Sequence, residues 1–367
     1  MNQNRWSYRR SRNLTTSAAL LFGGLVVGLL GTVAGCSVAP RGPCEATTPL
    51  GTVCGFSNPE DVHWAEAQGA LIVSEMALSG AVGALAVYVP QGEPPRRLWP
   101  SGRDGEFARA PGVGDPQCPA PDPQVFAPHG IFVDRGGDLY VVNHGGRESL
   151  EIFSLQGNAG TVTAVWRGCI NLPEDTSGND VTVAPDGEIL VSNYVSSPDS
   201  LWANLRVGLG LPTGDVLGWL AASGWRHLPG TEGSAPNGVA VSRDGRNLFF
   251  VETGGSQLVR LRRADGGARV EVAIDGALDN LSWTRRGNLL LASHDSVSAF
   301  LGCVTGGTCR APWSIWEIDP DTLSVRRVFR HDGSIVGAVA SAAEVGDQIY
   351  LGAVFGDRIG VWERSRR

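Results

Sequence analysis

The chain contains no lysine in its 367 residues. That absence excludes a Schiff-base nucleophile and the phosphate-binding lysine of a P-loop. No Gly-x-Ser-x-Gly turn is present, so the serine nucleophile elbow of the α/β hydrolases is missing too. Long amphipathic helical stretches are nearly absent. None of the seven cysteines stands at a zinc-binding spacing. The first 35 residues contain no acid.

That acid-free start carries Arg5, Arg9, Arg10 and Arg12, then an apolar run from Ala18 to Val33. The run ends in Val33-Ala34-Gly35-Cys36, small residues just before a cysteine. This is the pattern of a bacterial lipoprotein signal with its lipobox. It predicts cleavage before Cys36, lipid on Cys36, and an extracytoplasmic protein of the cell envelope held to a membrane by that lipid. An uncleaved transmembrane anchor is the alternative, since the run is nearly long enough to span. Tyr8-Arg9-Arg10-Ser11 carries the arginine pair of a twin-arginine signal. Loss of the four arginines takes the formal charge from −7 to −11. So acidic a remainder sets nucleic acid aside as a partner and suits cations.

With Cys36 lipidated, Cys44, Cys54, Cys118, Cys169, Cys303 and Cys309 remain, an even number consistent with disulfides outside the cytoplasm. Cys303 and Cys309, flanking five residues, form the easiest pair to close. The other pairings are open.

What is abundant is glycine, 50 residues, and proline, 22. Residues 36–54 are rich in Pro, Gly and Thr and read as a tether. From residue 55 to the end, short apolar runs alternate with turn signals. One hairpin sets the pattern. Residues 130–134 and 139–143 read as strands, with Arg135-Gly-Gly-Asp138 as the turn. Degenerate copies start at Asp180, Gly238 and Asn280, and weaker ones at Asp61 and near Ser334. Two further strands usually follow. Four-stranded repeats of about 40–70 residues predict an all-β, six-bladed β-propeller. A pair of β-sandwiches leaves the repetition unexplained. The last blade shows only three strands (337–342, 348–354 and 358–363), so an N-terminal strand must close the ring. Residues 94–125 and 196–224 read as insertions. The second contains a short amphipathic helix near 201–211 and is either a lid over one face or loop filler.

The residues that open the inner strands are Glu60-Asp61, His129-Gly130, Asn179-Asp180, Asn237-Gly238 and Asp279-Asn280. In a propeller these positions converge on the central channel. Glu60, Asn179, Asn237, Asp279 and Asn280 offer five hard oxygen donors and two negative charges, a calcium-type set. Strand alternation turns Asp61 and Asp180 away from that set, toward a second cation. Asn and Asp also favour strand ends as turn residues, but not at one phase of four repeats. His129 opens the first strand of its hairpin and His144 follows the second. The two imidazoles therefore approach each other as a proton-handling pair.

Together these motifs resemble the serum paraoxonase/arylesterase family, calcium-dependent lactonases on a six-bladed propeller. The resemblance runs from about Asn58 to Glu363. It is carried by Glu60-Asp61, Pro128-His-Gly-Ile131, Val141-Val-Asn-His144, Asn179-Asp180, Pro236-Asn-Gly238, Leu278-Asp-Asn280 and Gly352-Ala-Val-Phe355. It implies a catalytic calcium on Glu60, Asn179, Asn237, Asp279 and Asn280, and a structural calcium on Asp61, Asp180 and the Ile131 carbonyl. It implies His129 and His144 as the catalytic dyad, His294 as a further active-site histidine, and residues 196–224 as a helical lid. Two features depart from the family. No cysteine lies in 358–363 to bridge the chain ends, and Tyr194 stands where the family carries an acid–histidine pair. The implied reaction is hydrolysis of a small-molecule ester or lactone, with calcium polarising the carbonyl and His129 taking a proton from water. The gluconolactonase/regucalcin group is the enzymatic alternative, and it lacks the histidine dyad. A lipid-anchored, non-catalytic binding propeller is the other. The sequence carries no indication of oligomeric state.

Overall fold

In the computed structural model the described residues are 44, 49–78, 82–196, 201–305 and 308–364. The signal segment, Cys36 and most of the tether lie outside them. The fold is a six-bladed β-propeller of four-stranded antiparallel blades.

Strand β1 (Leu50–Cys54) belongs to the last blade. Blade 1 is β2 (Pro59–Ala65), β3 (Ala70–Glu75), β4 (Ala84–Tyr88) and β5 (Arg96–Trp99). Blade 2 is β6 (Pro128–Val133), β7 (Asp138–Asn143), β8 (Ser149–Gln156) and β9 (Thr163–Asn171). Blade 3 is β10 (Gly178–Val183), β11 (Ile189–Asn193), β12 (Asp215–Leu220) and β13 (Gly224–His227). Blade 4 is β14 (Pro236–Val241), β15 (Asn247–Glu252), β16 (Gln257–Arg262) and β17 (Val270–Ala273). Blade 5 is β18 (Ala277–Trp283), β19 (Leu289–His294), β20 (Trp313–Ile318) and β21 (Val325–His331). Blade 6 is β22 (Val339–Val345), β23 (Gln348–Ala353) and β24 (Arg358–Glu363), completed by β1.

Ring closure uses an N-terminal strand. Leu50 pairs with Trp362 and Cys54 with Arg358. Residues 50–54, read from sequence as the end of the tether, are therefore part of the propeller. Their apolar residues pack on the last blade, Leu50 among Leu351, Ala353 and Trp362. Two other expectations are corrected. Residues 94–125 contain β5, and residues 196–224 contain β12, so neither stretch is wholly an insertion. Pro94-Pro95 and Gly218 hid these strands, because proline and glycine read as turns.

Every interface between neighbouring blades holds its own apolar cluster. Each sheet is thus covered on both faces, which is why the strands read as apolar runs rather than strict alternation. Between blades 1 and 2, Trp99 stands edge-on to Phe126 and Phe153, with ring centroids 4.6 and 5.2 Å apart. A seventh cluster lies under helix α2 (Val297–Val304), where Phe300 and Cys303 pack on Met76, Val354 and Phe355. Ser296 caps α2 by accepting the Ala299 N–H. Helix α1 (Leu201–Gly208) leaves blade 3 and rests on the turn of blade 4. There a Cβ on Gly254 would come within 2.7 Å of the Val207 carbonyl. No described helix is long and apolar enough to cross a membrane.

Three disulfides are formed: Cys303–Cys309, Cys44–Cys54 and Cys118–Cys169. The first is the pair expected from spacing. The second ties Cys44, the first described residue, to the end of the closing strand.

Candidate functional site

The inner strands β2, β6, β10, β14, β18 and β22 contact one another in a closed ring around the channel. Each loses ladder register near its start: at Pro59/Asp61, Pro128/Ile131, Gly178/Val181, Pro236/Val239, Leu278/Leu281 and Val339/Ser341. Residues inside a bulge escape the alternation of a regular strand and can be re-aimed. The bulged residues are Glu60, His129-Gly130, Asn179-Asp180, Asn237-Gly238, Asp279-Asn280 and Ala340. Five blades present polar groups there, and blade 6 presents an alanine. Glycine at 130 and 238 permits the approach of the next strand. A Cβ on Gly130 would meet the Asn179 carbonyl at 2.4 Å, and one on Gly238 the Leu281 N–H at 2.5 Å.

Glu60, Asn237 and Asn280, each at the start of an inner strand, each bury one oxygen that meets no donor. Asn280 Nδ2 donates to Glu60 Oε1 at 2.8 Å, joining blades 5 and 1. Asn237 Nδ2 donates to Thr253 Oγ1 at 3.2 Å, and that hydroxyl donates to the Leu278 carbonyl at 2.6 Å. With each amide nitrogen anchored, the oxygen is aimed elsewhere. Glu60 Oε2, Asn237 Oδ1 and Asn280 Oδ1 are buried and accept no hydrogen bond. A buried acceptor left alone costs about 1–3 kcal/mol, so each of the three would gain from a cation or a donor. Asn179 is buried in the same ring. Asp279 accepts from His294 Nε2 at 2.7 Å, and the His294 ring lies 4.4 Å from Phe300 of α2.

Asp61 and Asp180 take different partners. Asp61 Oδ1 accepts the Val62 N–H and Oδ2 the Ile131 N–H, at 2.8 and 2.7 Å. Asp180 Oδ1 accepts the Val181 N–H and Oδ2 the Val239 N–H, at 2.7 and 2.8 Å. Each carboxylate bolts its own bulge to the inner strand of the next blade. Asp180 lies inside its bulge, and Asp61 directly follows Glu60, the bulged residue of β2. Ile131 meets Asp61 through its N–H.

Burial pushes Glu60 well above the usual carboxylate range, and the charges of Asp61 and Asp279 push it further, against the Asn280 hydrogen bond. Burial raises Asp61 to about 7, although the Ile131 and Val62 N–H groups pull it down. Asp180 is raised by burial and then by Asp61. The ion pairs found here, His129 with Glu60 at 3.9 Å and His294 with Asp279, involve histidines only. Among the described residues no three His, Cys, Asp or Glu side chains close on one point. A cation held here would have to draw on the asparagine amides as well. The donor set is therefore hard, oxygen-rich and short of positive charge, which fits a calcium ion.

His129 Nδ1 lies 3.0 Å from His144 Nε2. Burial, then the neighbouring imidazole, lowers His129 to about 3, so it is neutral at working pH. Burial also pulls His144 down, but the charge and hydrogen bond of Glu148 outweigh it and the net shift is upward. Glu148 was not singled out by sequence reasoning. Its only signal is its place four residues after His144. Burial raises the Tyr194 phenol well above its ordinary range, and the charge of Asp279 adds to it.

Solved structures share this architecture. A gluconolactonase from Xanthomonas campestris matches 89% of this chain and 99% of its own at 19% identity, with a TM-score of 0.54. A luciferin-regenerating enzyme matches 86% and 96% at 15% identity, with a TM-score of 0.53. At such identities the likeness is one of fold. No protein-family model and no curated protein matches the sequence.

Proposed function

We propose that the protein is a calcium-dependent lactonase that also accepts aryl esters. The carrying observation is the trio of buried, donorless oxygens on Glu60, Asn237 and Asn280 beside a neutral histidine pair. Glu60, Asn179, Asn237, Asp279 and Asn280 would hold the catalytic ion. Asp61, Asp180 and the Ile131 carbonyl would hold a structural one, offsetting the repulsion between the two carboxylates. When bound, calcium polarises a substrate carbonyl and stabilises the oxyanion. His129 then takes the proton of the attacking water at Nε2, while His144 holds its other face. His294 fixes Asp279 through their hydrogen bond, which supports the ligand set rather than touching substrate.

Lactones are placed ahead of aryl esters because one solved structure of the same fold is that of a gluconolactonase. That name also favours a second reading, a sugar lactonase. The histidine pair favours the paraoxonase-like one. Hydrolysis of δ-valerolactone, gluconolactone and phenyl acetate, with calcium and then with EGTA, tests the proposal. Activity lost to EGTA and restored by calcium supports it, and the preferred substrate separates the two readings. No hydrolysis of any of the three, with calcium still raising Tm, points instead to a binding propeller. His129→Gln should lower kcat by about 10²–10⁴-fold and leave the calcium-induced rise in Tm unchanged. Full activity in that variant contradicts the base role.

The lipid anchor at Cys36 is part of the proposal, and with it a place in the bacterial cell envelope. Cys36→Ser should abolish metabolic labelling by palmitate and release the protein from membranes.

A further inference from the structure

The histidine pair is the inner end of a longer chain. Glu148 Oε1 and Oε2 lie 2.8 and 3.0 Å from His144 Nδ1. His144 Nε2 lies 3.0 Å from His129 Nδ1. His129 Nε2 points on toward Glu60, 3.9 Å away. We propose that Glu148 is a positioning residue that sets the tautomers of both imidazoles and leaves His129 Nε2 unprotonated at the reacting site. The proposal rests on the reading of His129 as the base.

The argument is one of donors and acceptors. An ionised carboxylate can only accept, so His144 Nδ1 must carry a proton. Neutral His144 then has a lone pair at Nε2 and can only accept there. His129 must therefore donate from Nδ1, and its lone pair falls at Nε2. Either imidazole in the other tautomer would set two acceptors or two donors face to face at about 3 Å.

The loop carrying Glu148 is built for this placement. Asn143 Oδ1 accepts the Ala127 and Gly145 N–H groups, at 3.0 and 3.1 Å. Asn143 Nδ2 donates to the Gly145 carbonyl and to Ser149 Oγ. Only glycine fits at 145, where a Cβ would come within 1.8 Å of the Val125 carbonyl. Arg147 is clamped by the fully buried Glu151 at 2.7 Å and by the Pro119 carbonyl at 2.8 Å. Glu148 Oε2 also accepts the Gly178 N–H at 3.3 Å, at the head of β10. The carboxylate is thus fixed from both sides of the blade 2–blade 3 boundary.

The test uses ¹⁵N-histidine-labelled protein and two-bond proton–nitrogen correlation spectra, alongside δ-valerolactone kinetics. In the wild type, His144 and His129 should both show a protonated Nδ1 and a bare Nε2. Glu148→Gln keeps the size and the acceptor for Gly178, but its amide can donate as well as accept. It should give mixed tautomers and a kcat lower by about 10²-fold, with KM changed less than about twofold. The calcium-induced rise in Tm should persist. A wild-type spectrum with His144 protonated at Nε2 alone overturns the proposal, as does unchanged kcat in Glu148→Gln. Failure of the proposed function is separate. It shows as no hydrolysis by the wild type, or, for the base role alone, as full activity in His129→Gln, and in either case the spectra still decide whether Glu148 sets the tautomers.

Discussion

Two sets of acidic and amide side chains stand in or beside the inner-strand bulges and differ in one respect. Glu60, Asn237 and Asn280 each bury an oxygen that meets no donor. Asp61 and Asp180 bury two oxygens each, and all four are met by backbone N–H groups. The first set is complete only with an added partner. The second already does a structural task, joining neighbouring inner strands. Burial and charge alone do not distinguish the sets, since burial raises Glu60, Asp61 and Asp180 alike. Hydrogen-bond satisfaction does. The cation on the first set should be exchangeable, and loss of the second set should be felt by the fold.

The sharpest way to break this contrast is Glu60→Gln. It keeps an acceptor for Asn280 and removes a charge from the donorless set. Hydrolysis should fall by about 10²–10³-fold and the calcium-induced rise in Tm should shrink. In EGTA the variant should be no less stable than the wild type, because a buried carboxylate without a counter-ion has gone. Marked destabilisation in EGTA would place Glu60 with the structural set.

Asp61→Asn is the counterpart. Asparagine has one acceptor oxygen and cannot serve both Val62 and Ile131. Chemical denaturation should show a loss of about 1–3 kcal/mol in EGTA, from the hydrogen bonds, and a larger loss with calcium, from the structural ion as well. A loss seen only with calcium would make Asp61 purely a ligand.

The smallest effect is in pH dependence. Asp61 rises from 3.8 to about 7 on folding. Its protonated form therefore favours the metal-free fold, fully below about pH 4, and that contribution is lost as pH rises through about 7. Calcium must displace the same protons, so its stabilising effect should grow between pH 5 and 8. Read as the difference in Tm with and without calcium at each pH, the measurement cancels the opposing slopes of His63 and His129. Burial lowers these to about 4 and about 3. A calcium effect that is flat across this range would remove the carboxylates from the binding set.

Much of this was legible in the sequence. Asn, Asp and Glu at one phase of successive repeats marked both the blades and the channel. The missing fourth strand of the last blade pointed to N-terminal closure. The bulges were not legible, because an extra residue in a strand leaves no compositional trace. They matter most, since Glu60, Asp180, Asp279 and Asn280 lie within them. Glu148 reads as an ordinary loop acid until Asn143, Gly145 and Arg147 are seen to lock its loop. Strands β5 and β12 were hidden by the prolines and glycine in or beside them. The pairings of Cys44 with Cys54 and Cys118 with Cys169 needed the fold.

The most direct measurement is a crystal structure of the protein grown with calcium. The account predicts an ion at about 2.3–2.6 Å from Glu60 Oε2, Asn237 Oδ1 and Asn280 Oδ1 together. Those three oxygens turned onto protein donors, with no ion among them at millimolar calcium, would contradict it.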